Sequence, residues 1–115
     1  MARWAFVAVT VLMLAACGGG PAADVRSGSA HLVIDGPRSG QVLSVRSVGV
    51  AVRVEGVDHY RLRYYLDGGD RGEGDTTFTL TNLSPGNHRV EVEGLHGDSS
   101  AYSPPLRAGV DFVIQ

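Results

Sequence analysis

From residue 31 onward, apolar side chains recur at every second position, and this period restricts what the chain can fold into. The segment VGVAVRVEG (48–56) puts Val48, Val50, Val52 and Val54 on one side. HYRLRYYLDG (59–68) puts Tyr60, Leu62, Tyr64 and Leu66 on one side, with His59, Arg61, Arg63 and Tyr65 on the other. The same alternation runs through TTFTLTNL (76–83), HRVEVEG (88–94) and VDFVIQ (110–115), and two shorter apolar pieces, HLVID (31–35) and QVLSVRS (41–47), precede them. A repeat of two is that of a β-strand buried on one face; a helix would need 3.6. Turn residues separate the pieces: Gly36-Pro37, Gly56, the run 67–75, Ser84-Pro85-Gly86 and Pro104-Pro105. No 11-residue window makes an amphipathic helix. The expected fold class is therefore all-β, an antiparallel sandwich of about seven strands. In such a sandwich the third and sixth strands are neighbours, which would set Arg61 and Arg63 against Glu91 and Glu93 across the ladder.

The N-terminal segment follows different rules. Arg3 is followed by WAFVAVTVLMLAA (4–16), which has no charge. A positive residue ahead of a short apolar run is the pattern of a secretory signal. The run is too short for a transmembrane helix, which needs about 20 apolar residues. The stretch Leu14-Ala15-Ala16-Cys17 resembles the bacterial lipobox. That resemblance implies cleavage between Ala16 and Cys17, with lipid on the Cys17 thiol. Residues 1–16 are then a lipoprotein signal peptide, 17–30 a lipidated cysteine and a Gly/Ala/Ser-rich flexible tether, and 31–115 the folded domain. The expected location is the bacterial cell envelope, with the membrane reached through the lipid anchor. Gly18 in place of Asp directs such a lipoprotein to the outer membrane of a Gram-negative cell; otherwise it sits on the outer face of the cell membrane.

Cys17 is the only cysteine, so no internal disulfide staples the domain. The net charge of the chain is −2, and the signal's only charge is Arg3, so cleavage takes it to −3. An acidic balance argues against nucleic acid as a partner.

Several segments resemble bacterial Ig-like envelope domains: IDGPRSGQVL (34–43), then YYLDGG, FTLTNLSPGNHRVEVEGLHG and the closing VDFVI. The likeness spans residues 31–115 and extends to fibronectin type III strands, where His88 falls near a corner aromatic that ties a turn to the backbone. It implies an Ig-like sandwich and a non-catalytic binding, adhesion or accessory module, whose partner would be an envelope protein or glycan.

Two groups of residues carry the competing chemistry. AHL (30–32), with Pro37 and Gly40, resembles the start of periplasmic copper-binding β-sandwich proteins, which join an N-terminal histidine to a late Asp-x-His. Here the late motif is reversed, His96-Gly97-Asp98, and the alternative function is a copper or zinc site at His31, His96 and Asp98. The run DGGDRGEGD (67–75) offers Asp67, Asp70, Glu73 and Asp75, the oxygen ligands that calcium prefers. It matches no calcium-loop pattern, and the competing reading is a solvated hairpin loop. No nucleophile elbow, phosphate loop or zinc-protease helix motif is present, so no enzyme activity and no cofactor beyond the lipid is expected.

Overall fold

The computed structural model describes residues 23–115. Cys17 and the cleavage residue Ala16 lie outside them. The described chain has nine strands: β1 (Ala23–Ser27), β2 (Ala30–Gly36), β3 (Gln41–Leu43), β4 (Val48–Glu55), β5 (Tyr60–Leu66), β6 (Gly69–Gly74), β7 (Thr77–Leu80), β8 (Gly86–His96) and β9 (Ala101–Ile114). They form two sheets, one ordered β1-β2-β4-β7 and the other β3-β9-β8-β5-β6. The fold is an all-β sandwich.

Alternation sets which side of each strand faces the other sheet. Leu32 and Ile34 of β2, Val50 and Val52 of β4, Leu62 and Tyr64 of β5, Val90 and Val92 of β8, and Val110, Phe112 and Ile114 of β9 are all buried in one cluster. Each such side chain contributes roughly 1.5–3 kcal/mol relative to exposure, so this shared cluster is the main attraction between the two sheets. The intervening residues of β4 and β5 point outward, among them Arg53, Glu55, Arg61 and Arg63.

Four expectations need correction. The count is nine strands, not about seven. Residues 23–30, assigned to the tether, form β1 and its turn: Ala23 and Val25 alternate with the exposed Asp24 and Arg26, and Ser27 pairs with Ala30 around Gly28-Ser29. The small side chains that resemble a linker also suit an edge strand needing little burial. The run 67–75 is mostly β6. Asp67 and Gly68, both at positive φ (51° and 85°), make the two-residue turn preferred in hairpins, and Leu66 pairs with Gly69 beyond it. The glycines of β6 accommodate a bulge at Arg71 and the ring of Phe78, which lies where a Cβ on Gly74 would fall. Finally, Pro104-Pro105 does not end a strand. Leu95 pairs with Ala101 but Gly94 pairs with Leu106, so residues 102–105 bulge out of β9, where the missing proline N–H groups leave no gap in the ladder.

One pairing is parallel: Gln41, Val42 and Leu43 lie beside Phe112, Val113 and Ile114. Its cause is topological. After β2 the chain crosses to the other sheet without reversing, and Gly40 N–H donates to the Asp111 carbonyl (2.7 Å) to begin the new pairing.

The expected neighbours, β5 and β8, do pair, with Arg63 opposite Glu93. The charges nevertheless choose other partners. Arg63 turns to Asp70 (2.8 Å) and Glu73 (3.3 Å) of β6, and Arg61 to Glu73 (3.1 Å). Glu91 takes Arg107 of β9 (2.9 Å), whose guanidinium also covers the Tyr65 ring at 4.0 Å.

Candidate functional site

The two ends of the sandwich differ in chemistry. At one end the β1–β2 turn, the loop 56–59 after β4, the last residue of β8 (His96) and the first residues of β9 (101–103) line an open cleft of about 800 Å³. Its floor is fixed by a backbone contact. Gly56 (φ 85°) lies so close to the β1–β2 turn that a Cβ on it would sit 1.9 Å from the Ser29 carbonyl oxygen. Ser27 Oγ donates to the Pro104 carbonyl (2.7 Å), tying the same turn to the bulge of β9. The cleft wall carries His59, His96 and Tyr102, and the His96 and Tyr102 rings stack with centroids 3.8 Å apart. Asp58 and the hydroxyls of Ser29 and Ser103 add polar groups. An open, part-aromatic, part-polar concavity at the end of a sandwich suits recognition of another molecule.

Asp98 shapes this end from within its own loop. Its carboxylate accepts from Ser100 Oγ (2.6 Å) and Ser100 N–H (3.0 Å), and those bonds hold it below the usual carboxylate range. Main-chain bonds between His96 and Ser99 and between His96 and Ser100 close the turn.

The residues expected to bind copper or zinc are placed apart. His31 lies on the outward face of β2, its Nδ1 3.1 Å from Glu55 and its Nε2 4.0 Å from Asp24. His96 stacks on Tyr102 in the other sheet, and Asp98 caps its turn. Among the described residues, no group of three or more His, Cys, Asp or Glu side chains is arranged to hold a metal ion.

The proposed calcium ligands are spread along the β5–β6 hairpin. Asp67 binds His88 and the Arg89 N–H, both at 2.7 Å. Asp70 accepts from Gly72 N–H and Arg63, in that order the causes of its lowered pKa. Glu73 is lowered chiefly by Arg61. The Asp75 carbonyl accepts the Tyr64 hydroxyl, whose pKa burial pushes up to about 12.

The opposite end is built around His88, only 9 % exposed. Its Nδ1 lies 2.7 Å from an Asp67 carboxylate oxygen and its Nε2 2.6 Å from the Ser84 carbonyl. Both ring nitrogens therefore face acceptors, a geometry satisfied only when both carry hydrogen. Those two bonds, the carbonyl first, raise its pKa above the ordinary value. The ring also stacks over Phe112. His88 thus ties the 84–86 turn and the β5–β6 turn to the core, which accords with the corner role its position suggested.

Sequence reasoning singled out His96 and Asp98 but missed His59, Tyr102 and the Gly28-Ser29 turn. An aromatic beside a polar loop, in GDSSAYS, was the signal available for Tyr102. The turn is not legible in a Gly/Ala/Ser-rich segment that reads as a tether. No family model, curated protein or solved structure matches this chain.

Proposed function

We propose that the protein is a lipid-anchored envelope lipoprotein whose Ig-like domain is a non-catalytic binding module, with the cleft end as its contact surface. The observation that carries this reading is the direction of β1. Ser27 lines the cleft and Ala23 lies four residues back along the strand, about 13 Å toward the other end. Cys17 stands six residues before Ala23, a reach of at most about 20 Å. In this reading the lipid lies on the side from which β1 enters the sheet, and the cleft faces away from the bilayer. One acyl chain binds membranes only weakly, and two or more make the anchor stable.

Strand order supports the Ig-like reading. Relating β4, β5, β6, β7, β8 and β9 to strands B, C, C′, E, F and G gives an Ig sheet G-F-C-C′ facing A-B-E, with β3 as the piece of the first strand that joins G. The loops 56–59 and 97–100 are then the B–C and F–G loops, which sit together at the end that Ig variable domains use for recognition. The partner class is an envelope protein or glycan.

A photo-crosslinking amino acid at Tyr102, in the full chain expressed in a bacterial envelope, is expected to capture a partner that the same group at Asn87 does not. Capture only from Asn87, or from neither site in folded protein, would overturn the assignment of the cleft.

A further inference from the structure

β7 is the outer strand of its sheet, and its free edge has an uncommon make-up. The other outer strands carry devices that discourage strand addition. β1 has Asp24 and Arg26, β6 has Asp70, Arg71 and Glu73, and β3 is only three residues long between Arg38 and Arg46. β7 is short as well, at four residues, but it carries no charge, and no Asp, Glu, Lys or Arg occurs from Thr76 to Asn87.

The phase of its hydrogen bonds determines what the edge presents. Val52 N–H donates to the Thr76 carbonyl (2.8 Å), and the β4–β7 register continues through Val50 with Phe78 and Val48 with Leu80. In an antiparallel ladder, bonded pairs alternate with unbonded ones. Phe78 and Leu80 therefore direct their backbone groups to β4, and Thr77 and Thr79 direct N–H and C=O outward.

We propose that β7 is the contact strand of a two-fold dimer, pairing antiparallel with β7 of a second copy about an axis at Phe78. This axis sets Thr77 opposite Thr79 of the second copy and Thr79 opposite Thr77. The two bonded pairs give four N–H···O bonds and use every outward group of both threonines. Phe78 meets its own copy at the unbonded position, where Cα atoms approach to about 4.5 Å. The pleat is kept, since core-facing Phe78 meets core-facing Phe78, and threonine meets threonine on the outer face, a favourable cross-strand pair. An axis at Thr79 would need Thr81, which lies beyond the strand. The Phe78 ring is already held by stacking on Tyr64 (centroids 4.2 Å, 6° between planes), so its half-exposed edge is fixed for the contact. A second copy fits because the edge is complementary to itself. A four-residue contact is smaller than the roughly 1,200 Å² at the low end of stable interfaces, so the dimer is reversible and favoured by confinement to a membrane.

Cross-linking reads the register directly. Full-length chains carrying Thr77→Cys or Thr79→Cys are oxidised in membranes, singly and as a mixture, against a control with Cys17 alone. The mixture is expected to cross-link about tenfold more than either variant alone, because only unlike positions come within the roughly 7 Å Cα limit for a disulfide. Equal cross-linking in all samples, an excess for Thr79→Cys alone, or none in the mixture overturns the proposal. Energy transfer between full chains labelled at Asp98 in the same membranes gives a second measure. Thr79→Lys should lower it to the level of chance proximity with an unchanged melting temperature, and transfer that the substitution leaves unchanged, high or at the chance level, contradicts the β7 contact.

Discussion

His88 and Gly56 show how single residues hold the two ends of the sandwich. The folded state raises the His88 pKa above 6.5 through the Ser84 carbonyl and Asp67. Its stabilisation is thus complete below about pH 6.5 and is lost as pH rises through the higher folded-state value. On the acid side the sign reverses. Asp35, Asp70, Glu73, Glu91 and Asp98 are all lowered, so their contribution is present above about pH 4 and is lost as pH falls through the depressed values. Urea unfolding should therefore show stability declining as pH rises above about 6.5, and His88→Ala should remove that slope and cost about 2 kcal/mol at pH 6. An unchanged slope in the variant would exclude the imidazolium. Gly56→Ala meets both a positive φ and the Ser29 carbonyl, and should cost more than about 2 kcal/mol by the same measurement. A loss below 0.5 kcal/mol, on the order of a surface change, would contradict that contact.

At the scale of elements, hydrogen exchange separates what holds the domain from what decorates it. β8 lies between β9 and β5, and its Val90 and Val92 amides should exchange slowest. β1 should be protected over the turn-proximal residues that pair with β2, whereas exchange at tether rates would contradict its place in the sheet. Alternation made β4, β5, β8 and the end of β9 legible in the sequence, because each buries one face. β1 and β6 escaped because Gly, Ser and Asp signal loops when burial is slight, and at a sheet edge burial is slight. The prolines of β9 read as a stop because a bulge cannot be distinguished from a turn without its partner strand. The ion pairs were partly legible. β5 and β8 are neighbours as expected, yet Arg61 and Arg63 found acids on a strand that the sequence presented as a loop. Of the cleft, His96 was visible, but His59 and Tyr102 come to line one cleft only when the β4–β5 loop and the start of β9 converge.

At the scale of the molecule, one polarity joins the proposed anchor to the proposed contact surface. β1 runs toward the cleft, which Ser27 lines, and Ala23 lies four residues farther from it. Cys17→Ser should release the protein from membranes and abolish incorporation of labelled palmitate; persistent labelling would mean that lipid is carried elsewhere. The most direct test of the account is depth in the bilayer. The full lipidated chain is reconstituted in liposomes containing headgroup quenchers, with a fluorescent unnatural residue at Asn87 or at Asp98. Strong quenching at Asn87 and little at Asp98 is the predicted result. Equal quenching, or stronger quenching at Asp98, would place the cleft against the membrane and contradict it.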